Sequence, residues 1–284
     1  MVDGYLKVII PSIIWGSMGV FSRWSGIDPI TLSFLRCLVA VFTLLLYFHC
    51  RKERFPFLGG KNLVLAILGG LFTGAGMVLY FTSINLIYLC YTLFIYYLGP
   101  IFVVFLSPLF FQEKLEAKSL LLLFISLCGV ALIVISSPET GPLPTEYQGY
   151  LLAFLGAICF TFAIIIAKSL KFVSGLTLTL YQMIVICISL LWFIDYSVSL
   201  TEKNVLNILT LGIIHSAFSY GLYYEGLKEI KVQHTGILLY LDPVVASIFG
   251  YIFFYELLAP GTLLGGLLII LAGVLAATGQ RSPA

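Results

Sequence analysis

Charge is scarce in this sequence. Lys, Arg, Asp and Glu make up 10% of its 284 residues, where an ordinary soluble domain carries about 25%, so a soluble globular protein is excluded. The formal net charge is only +2, which gives no footprint for a nucleic-acid partner. Histidine occurs three times, too few for a metal cluster. The six cysteines (Cys37, Cys50, Cys90, Cys128, Cys159, Cys187) are scattered, five of them in apolar runs, with no Cys-x-x-Cys spacing. They read as small packing side chains rather than disulfides or metal ligands, and no cofactor is expected. Polar stretches long enough for a nucleotide-binding domain or a disordered tail are missing as well.

What is there is apolar surface: 61% hydrophobic residues, 15% aromatic, and a mean hydropathy of +1.09. Runs such as 119–135 are apolar all round, whereas the strands of an outer-membrane barrel alternate with period two. A spanning helix needs about 20 mostly apolar residues. On that window the sequence predicts ten spans, at 6–23, 29–49, 63–84, 88–111, 118–136, 148–168, 176–197, 205–226, 234–255 and 261–279. Breaks fall at turn and charge signals such as Asp28-Pro29, Arg51 to Arg54, Pro138 to Pro144 and Pro260-Gly261. Asp3 and Lys7 precede the first apolar run with no small-x-small cleavage site after it, so that run is read as a retained span. With both termini cytoplasmic, 12 of the 15 Lys and Arg fall on the inner side and two, Arg23 and Lys203, on the outer, with Arg36 inside a span. Cytoplasmic loops hold that excess in real membrane proteins.

The sequence also repeats. Shifted by 143 residues, Gly69, Thr73, Gly76 and Tyr80 meet Gly212, Ser216, Ser219 and Tyr223, Thr92 meets Thr235, Pro100 meets Pro243, and Glu113 meets Glu256. Each copy holds five spans, and an odd number turns the second copy upside down. The expected fold is therefore an all-α integral membrane protein of ten transmembrane helices, built as two inverted five-helix repeats over 1–137 and 145–280.

Trp15-Gly16-Ser17, the segment from Pro100 to Glu113, Asp242-Pro243-Val244-Val245-Ala246-Ser247 with Glu256, and Ala272-Gly273-Val274 together resemble the EamA repeat of the drug/metabolite transporter superfamily. The resemblance covers essentially the whole chain. It implies a ten-span carrier that moves small metabolites, commonly outward, by alternating access. In the first copy Tyr91 to Tyr97 is bulkier than the small-residue stretch usual in that family, which points to a specialised pocket.

Asp242 is the sharpest candidate. It lies eight residues into its predicted span, or about 12 Å, close to the middle of an apolar core about 30 Å thick. A carboxylate there costs a few kcal/mol and nearly always faces a cavity or a partner. It reads either as a proton-carrying or cation-binding group, or as a structural acceptor beside the Pro243 kink. His215 and Ser219 share a helical stripe with Gly226, with Ser216, Tyr220 and Tyr223 beside it. His215 either titrates or serves as a structural hydrogen-bonding group. Trp15, Tyr80, Tyr96, Tyr223 and Tyr240 fall well inside spans, where as a set they suit a pocket for a flat or cationic group. Arg36 is read as snorkelling to the nearer interface, the alternative being an anion site. Glu225 is expected to be solvated or paired with Lys228, and Gly261, Gly265 and Gly266 to pack within the bundle, with a dimer contact as the alternative.

The expected activity is secondary transport of small organic metabolites, with export of amino acids or related amphipathic and aromatic solutes favoured. Asp242 and His215 are the candidates for proton coupling. The partners are a small solute and the lipid bilayer, in a monomer or a homodimer, in the plasma membrane of a bacterium or archaeon. An uptake or exchange carrier for a charged cofactor or nucleotide-like metabolite would need more basic residues inside the membrane. An intramembrane enzyme would need a catalytic constellation that the three histidines and scattered carboxylates do not form.

Overall fold

A computed structural model describes residues 2–52, 56–84, 86–87, 89–136, 147–198, 200–255 and 258–278. Among these residues the chain is helical throughout, without strands. Among the described residues nine helical spans, four of them made of successive helical segments, are long and apolar enough to cross a membrane, and Gly175–Leu190 forms a shorter tenth. Arg54, Tyr88, Glu256, Arg281 and the junction expected between the two repeats lie outside the described residues.

In chain order the helices are α1 (Val2–Gly16), α2 (Met18–Ser25), α3 (Pro29–Cys50), α4 (Gly60–Ile84), α5 (Leu89–Tyr96), α6 (Gly99–Phe111), α7 (Ala117–Ile135), α8 (Tyr147–Ser169), α9 (Gly175–Leu190), α10 (Glu202–Thr210), a π-helical segment (Leu211–Phe218), α11 (Ser219–Glu229), α12 (Val232–Leu239), α13 (Leu241–Phe254) and α14 (Pro260–Thr278). Caps fix where several begin. The Asp28 carboxylate accepts from Ile30 N and Thr31 N, with Pro29 in the first turn, and Ser174 Oγ accepts from Thr177 N. A shift of 146 residues, Asp28 onto Ser174, lays α3 over α9 and sets Arg36 over Gln182.

Prolines explain two of the interruptions. A proline ring clashes with the carbonyl four residues earlier and offers no N–H. Accordingly α5 ends at Tyr96, four before Pro100, and α12 ends at Leu239, four before Pro243. Both continuing helices, α6 and α13, end on residues of positive φ, Gln112 at 56° and Tyr255 at 58°, two positions that correspond under the 143-residue shift.

One span is shorter than its composition suggests. The sequence predicts 176–197, but α9 stops at Leu190 after 16 residues, about 24 Å. Thr31 Oγ1 accepts from Asp195 N at 2.8 Å, and Asp195 accepts from Ser197 N and Oγ, which holds its carboxyl below the ordinary carboxylate value. Trp192, Phe193 and Tyr196 are thus left exposed, in keeping with an interfacial aromatic position.

Packing interleaves the two halves. α4 lies against α8 and α9; in the second half α11 lies against α1, and the π-helical segment against α3. α14 turns Leu263, Leu267 and Val274 outward and buries Gly265, Gly266, Ala272 and Gly273 against neighbours, α7 foremost. That inside-out pattern, apolar residues to lipid and small residues to protein, is how membrane helices approach closely.

Candidate functional site

Four helix interruptions meet at one place: the α1–α2 junction at Ser17, the α5–α6 junction at 97–98, the α12–α13 junction at Tyr240, and the π-helical segment. The contacts that join them run through side chains. Trp15 Nε1 donates to the His215 carbonyl at 2.9 Å. Ser17 Oγ lies 2.8 Å from His215 Nε2. Gly16 faces Val245 and the Asp242 carbonyl, where a Cβ would collide. Tyr97 and Tyr240, which correspond under the 143-residue shift, meet with ring centroids 5.8 Å apart, and the Tyr240 hydroxyl donates to the Tyr97 carbonyl at 2.8 Å.

Around this junction aromatic rings gather in two sets that come near each other at Tyr96 and Tyr220. Trp15 lies 5.0 Å from Tyr220 and 5.2 Å from Tyr223 between centroids, Tyr80 lies 5.0 Å from Tyr96, and Tyr96 lies 5.3 Å from Phe160. Asp242 is half-buried at their edge. The Tyr97 phenol faces its carboxylate, with Tyr80, Tyr96 and Tyr220 in the same electrostatic neighbourhood. A cavity of about 220 Å³ lies between α2 and α13, lined by Ser17, Val20, Phe21, Trp24, Phe249 and Phe253.

The sequence-predicted residues divide into two groups. Trp15, Tyr80, Tyr96, Tyr223 and Asp242 belong to the cluster or its edge, and His215 borders it through Trp15 and Ser17. Ser219 and Tyr240 are fully buried and already engaged. Ser219 Oγ donates to the Ile214 carbonyl at 2.8 Å, and Tyr240 packs in the core with Val104, Leu122, Ile237 and Ile269. Tyr223 is also buried, but its hydroxyl has no hydrogen-bond partner among the described residues.

Arg36 corrects an expectation. It does not snorkel: it is 4% exposed, within α3 and against the π-helical segment. Nη1 donates to Ser216 Oγ at 3.4 Å, Nη2 lies 3.9 Å from Met77 Sδ, and the Tyr220 phenol lies beside the guanidinium. Tyr97 stands in the sequence only as the end of the bulky Tyr91–Tyr97 stretch, because only the break after Tyr96 decides which of two adjacent tyrosines turns toward Asp242. Tyr220 carried a signal, its place beside Tyr223 on the same helical stripe.

At the opposite end from Ser25 and Tyr255, ion pairs join the halves. Glu113 meets Lys168 at 3.5 Å and accepts from Val232 N at 3.2 Å, Glu116 pairs with Lys231, and Gln233 bridges Glu116 N and the Lys114 carbonyl. Lys231 holds the Glu116 carboxyl below its ordinary value of 4.5. Tyr5 and His234 are hydrogen-bonded nearby. Lys228 contacts both oxygens of Glu225 at 2.9 Å.

The EamA-like transporter family model matches residues 3–135 and again residues 147–278. The uncharacterized transporter YxxF of Bacillus subtilis (strain 168) is 27% identical over 256 residues, 87% of this chain and 81% of its own. An uncharacterized transporter of Archaeoglobus fulgidus is 26% identical over an alignment of 286 residues, 96% of both chains. A protein known from a crystal structure shares the fold with a TM-score of 0.86 and 18% identity, over 97% of this chain and 98% of that one. With two matches that together span nearly its whole length, the chain belongs to the EamA-like transporter family of the drug/metabolite transporter superfamily and is a multi-pass membrane transporter.

Proposed function

We propose that this transporter is a secondary carrier that exports amino acids or related aromatic, amphipathic solutes by alternating access, its second half inverted relative to its first. The observation that carries the reading is the meeting of four helix interruptions at one aromatic and polar cluster. Carriers hold their solutes at discontinuous spans where two structural repeats face each other. Trp15, Tyr80, Tyr96 and Tyr220 offer ring faces to a flat or cationic group. Asp242, set among tyrosines, is the group that takes up and releases a proton during the cycle, with His215 the second candidate. The basic end, assigned to the cytoplasm by the excess of Lys and Arg in its loops, is closed in this conformation by the Glu113–Lys168 and Glu116–Lys231 pairs. The setting is a bacterial or archaeal plasma membrane, and the chain needs no enzymatic activity for this cycle.

The test is flux through the purified protein in sealed liposomes, against labelled amino acids, amines and organic anions, with and without a pH gradient. Carrier-mediated flux of an amino acid, steeper with an imposed gradient, is expected. No flux of any solute, with a hydrolytic or transferase activity instead, would overturn the reading.

A further inference from the structure

We propose that Arg36 is the docking point for a carboxylate of the transported solute, an inference that rests on the carrier reading above. The carried solute then belongs to the carboxylic acids, with amino acids as the zwitterionic members of that class, and simple amines fall outside it.

Arg36 sits about 10 Å into α3 by helical rise, and only 4% of it is exposed. A guanidinium buried within a membrane span is costly and is normally matched by a carboxylate or held in a polar cavity. None of the ion pairs among the described residues involves Arg36. What it has instead is sparse: a hydroxyl at 3.4 Å, a thioether at 3.9 Å and the Tyr220 phenol. A guanidinium presents five N–H donors in a planar fork whose natural complement is a bidentate carboxylate. None of those partners is a carboxylate, and the hydroxyl and thioether contacts are long for a guanidinium.

The surroundings are built to keep it there. Gly212 lies against Val39 and the Arg36 carbonyl, where any side chain would collide, so the π-helical segment approaches α3 closely and brings Ser216 to the guanidinium. Ser216 Oγ in turn donates to the carbonyl five residues back, Leu211, at 3.0 Å. Tyr220, beside Arg36, packs on Trp15, and Trp15 packs on Tyr223, whose buried hydroxyl has no hydrogen-bond partner among the described residues. A carboxylate on Arg36 thus places the rest of its solute against the aromatic cluster. At the corresponding position of α9 stands Gln182, neutral and already bonded to the Tyr224 hydroxyl. The charge belongs to one half alone.

The experiment compares native protein with Arg36→Gln and Arg36→Lys. Thermal shift and tryptophan fluorescence are read against L-phenylalanine, 3-phenylpropionate, phenylalaninamide and phenethylamine, followed by flux of the labelled compounds in liposomes. The native protein is expected to bind the two carboxylates about tenfold or more tightly than the amide and the amine, in line with a charge-assisted bidentate contact. Arg36→Gln removes that preference, and Arg36→Lys, which keeps the charge but loses the fork, retains part of it. Equal binding of acids and amines by the native protein would overturn the inference, as would an unchanged preference in a folded Arg36→Gln. If Arg36→Gln does not fold, the native panel and Arg36→Lys decide alone. Flux blind to the carboxylate sinks the Arg36 role and leaves the carrier standing. Absence of any flux sinks the carrier, while the binding panel still decides whether Arg36 takes a carboxylate.

Discussion

The third span of each repeat descends from the same pattern, yet the two copies differ in backbone. Gly60–Ile84 is one regular α-helix of 25 residues, and Thr73 Oγ1 donates to the carbonyl four residues back, Gly69, at 2.8 Å. Its counterpart, Glu202–Glu229, contains the π-helical Leu211–Phe218. There Ser216 and Ser219 donate to carbonyls five residues back. The wider turn re-aims Ser216 at Arg36 and sets His215 between Ser17 and Trp15. π segments are rare and gather at functional sites. In an otherwise repeated architecture, the copy that departs from regular geometry is the one whose polar groups reach across to Arg36, Ser17 and Trp15 of the first half.

Several changes break or sharpen that contrast. The largest effect is expected at the matched glycines. A Cβ on Gly212 meets the branched Val39 side chain and the Arg36 backbone, whereas on Gly69 it meets the Gln182 amide at 2.5 Å and Ile166 at 3.3 Å, side-chain atoms that can shift. Gly212→Ala should therefore cost about 1–3 kcal/mol by overpacking, and Gly69→Ala about 1 kcal/mol, read as loss of thermal stability in detergent. Equal losses would mean the π segment is no more tightly constrained than α4.

Trp15→Phe is next. It removes the 2.9 Å hydrogen bond to the His215 carbonyl while keeping a ring against Tyr220 and Tyr223, and should cost about 1 kcal/mol in stability. Solute-dependent stabilisation should fall with it. The paired hydroxyls come third. Ser216→Ala should weaken binding of 3-phenylpropionate several-fold, because Arg36 loses its hydroxyl partner, while Thr73→Ala should leave it unchanged.

Smallest is the ion pair at the basic end. Glu116 has its carboxyl held below its ordinary 4.5 by Lys231. Its contribution is therefore complete above about pH 4.5 and is lost as the pH falls through the lowered value. Both side chains are about two-fifths exposed, so the pair is worth under about 1 kcal/mol. Hydrogen exchange at 112–116 should rise on acidification in the native protein, and Glu116→Gln should show the raised exchange already at neutral pH.

Much of the fold was legible because it rests on composition. Apolar runs and the one-sided distribution of Lys and Arg mark the spans, and Pro100 with Pro243 marks where two of them break. The end of α9 was not legible, since Leu191 to Ile194 is as apolar as the helix before it and the stop is made by Thr31 of another helix gripping Asp195. Gly212 does not announce the π segment, since the matching Gly69 stands in a regular α-helix. Arg36 misled because distance along a span says how far a side chain must reach to snorkel, not which way its helix face points once packed. Ser219 is a related case: its hydroxyl is spent on its own backbone.

The central claim is that the junction around Asp242 is where solute and proton exchange, and flux in liposomes with Asp242→Asn tests it most directly. Uptake of labelled phenylalanine is measured for native and variant protein, each with and without an inside-acid pH gradient. Flux that responds to the gradient in the native protein and loses that response in Asp242→Asn is expected. Native-like flux with native-like gradient dependence in the variant would contradict the claim.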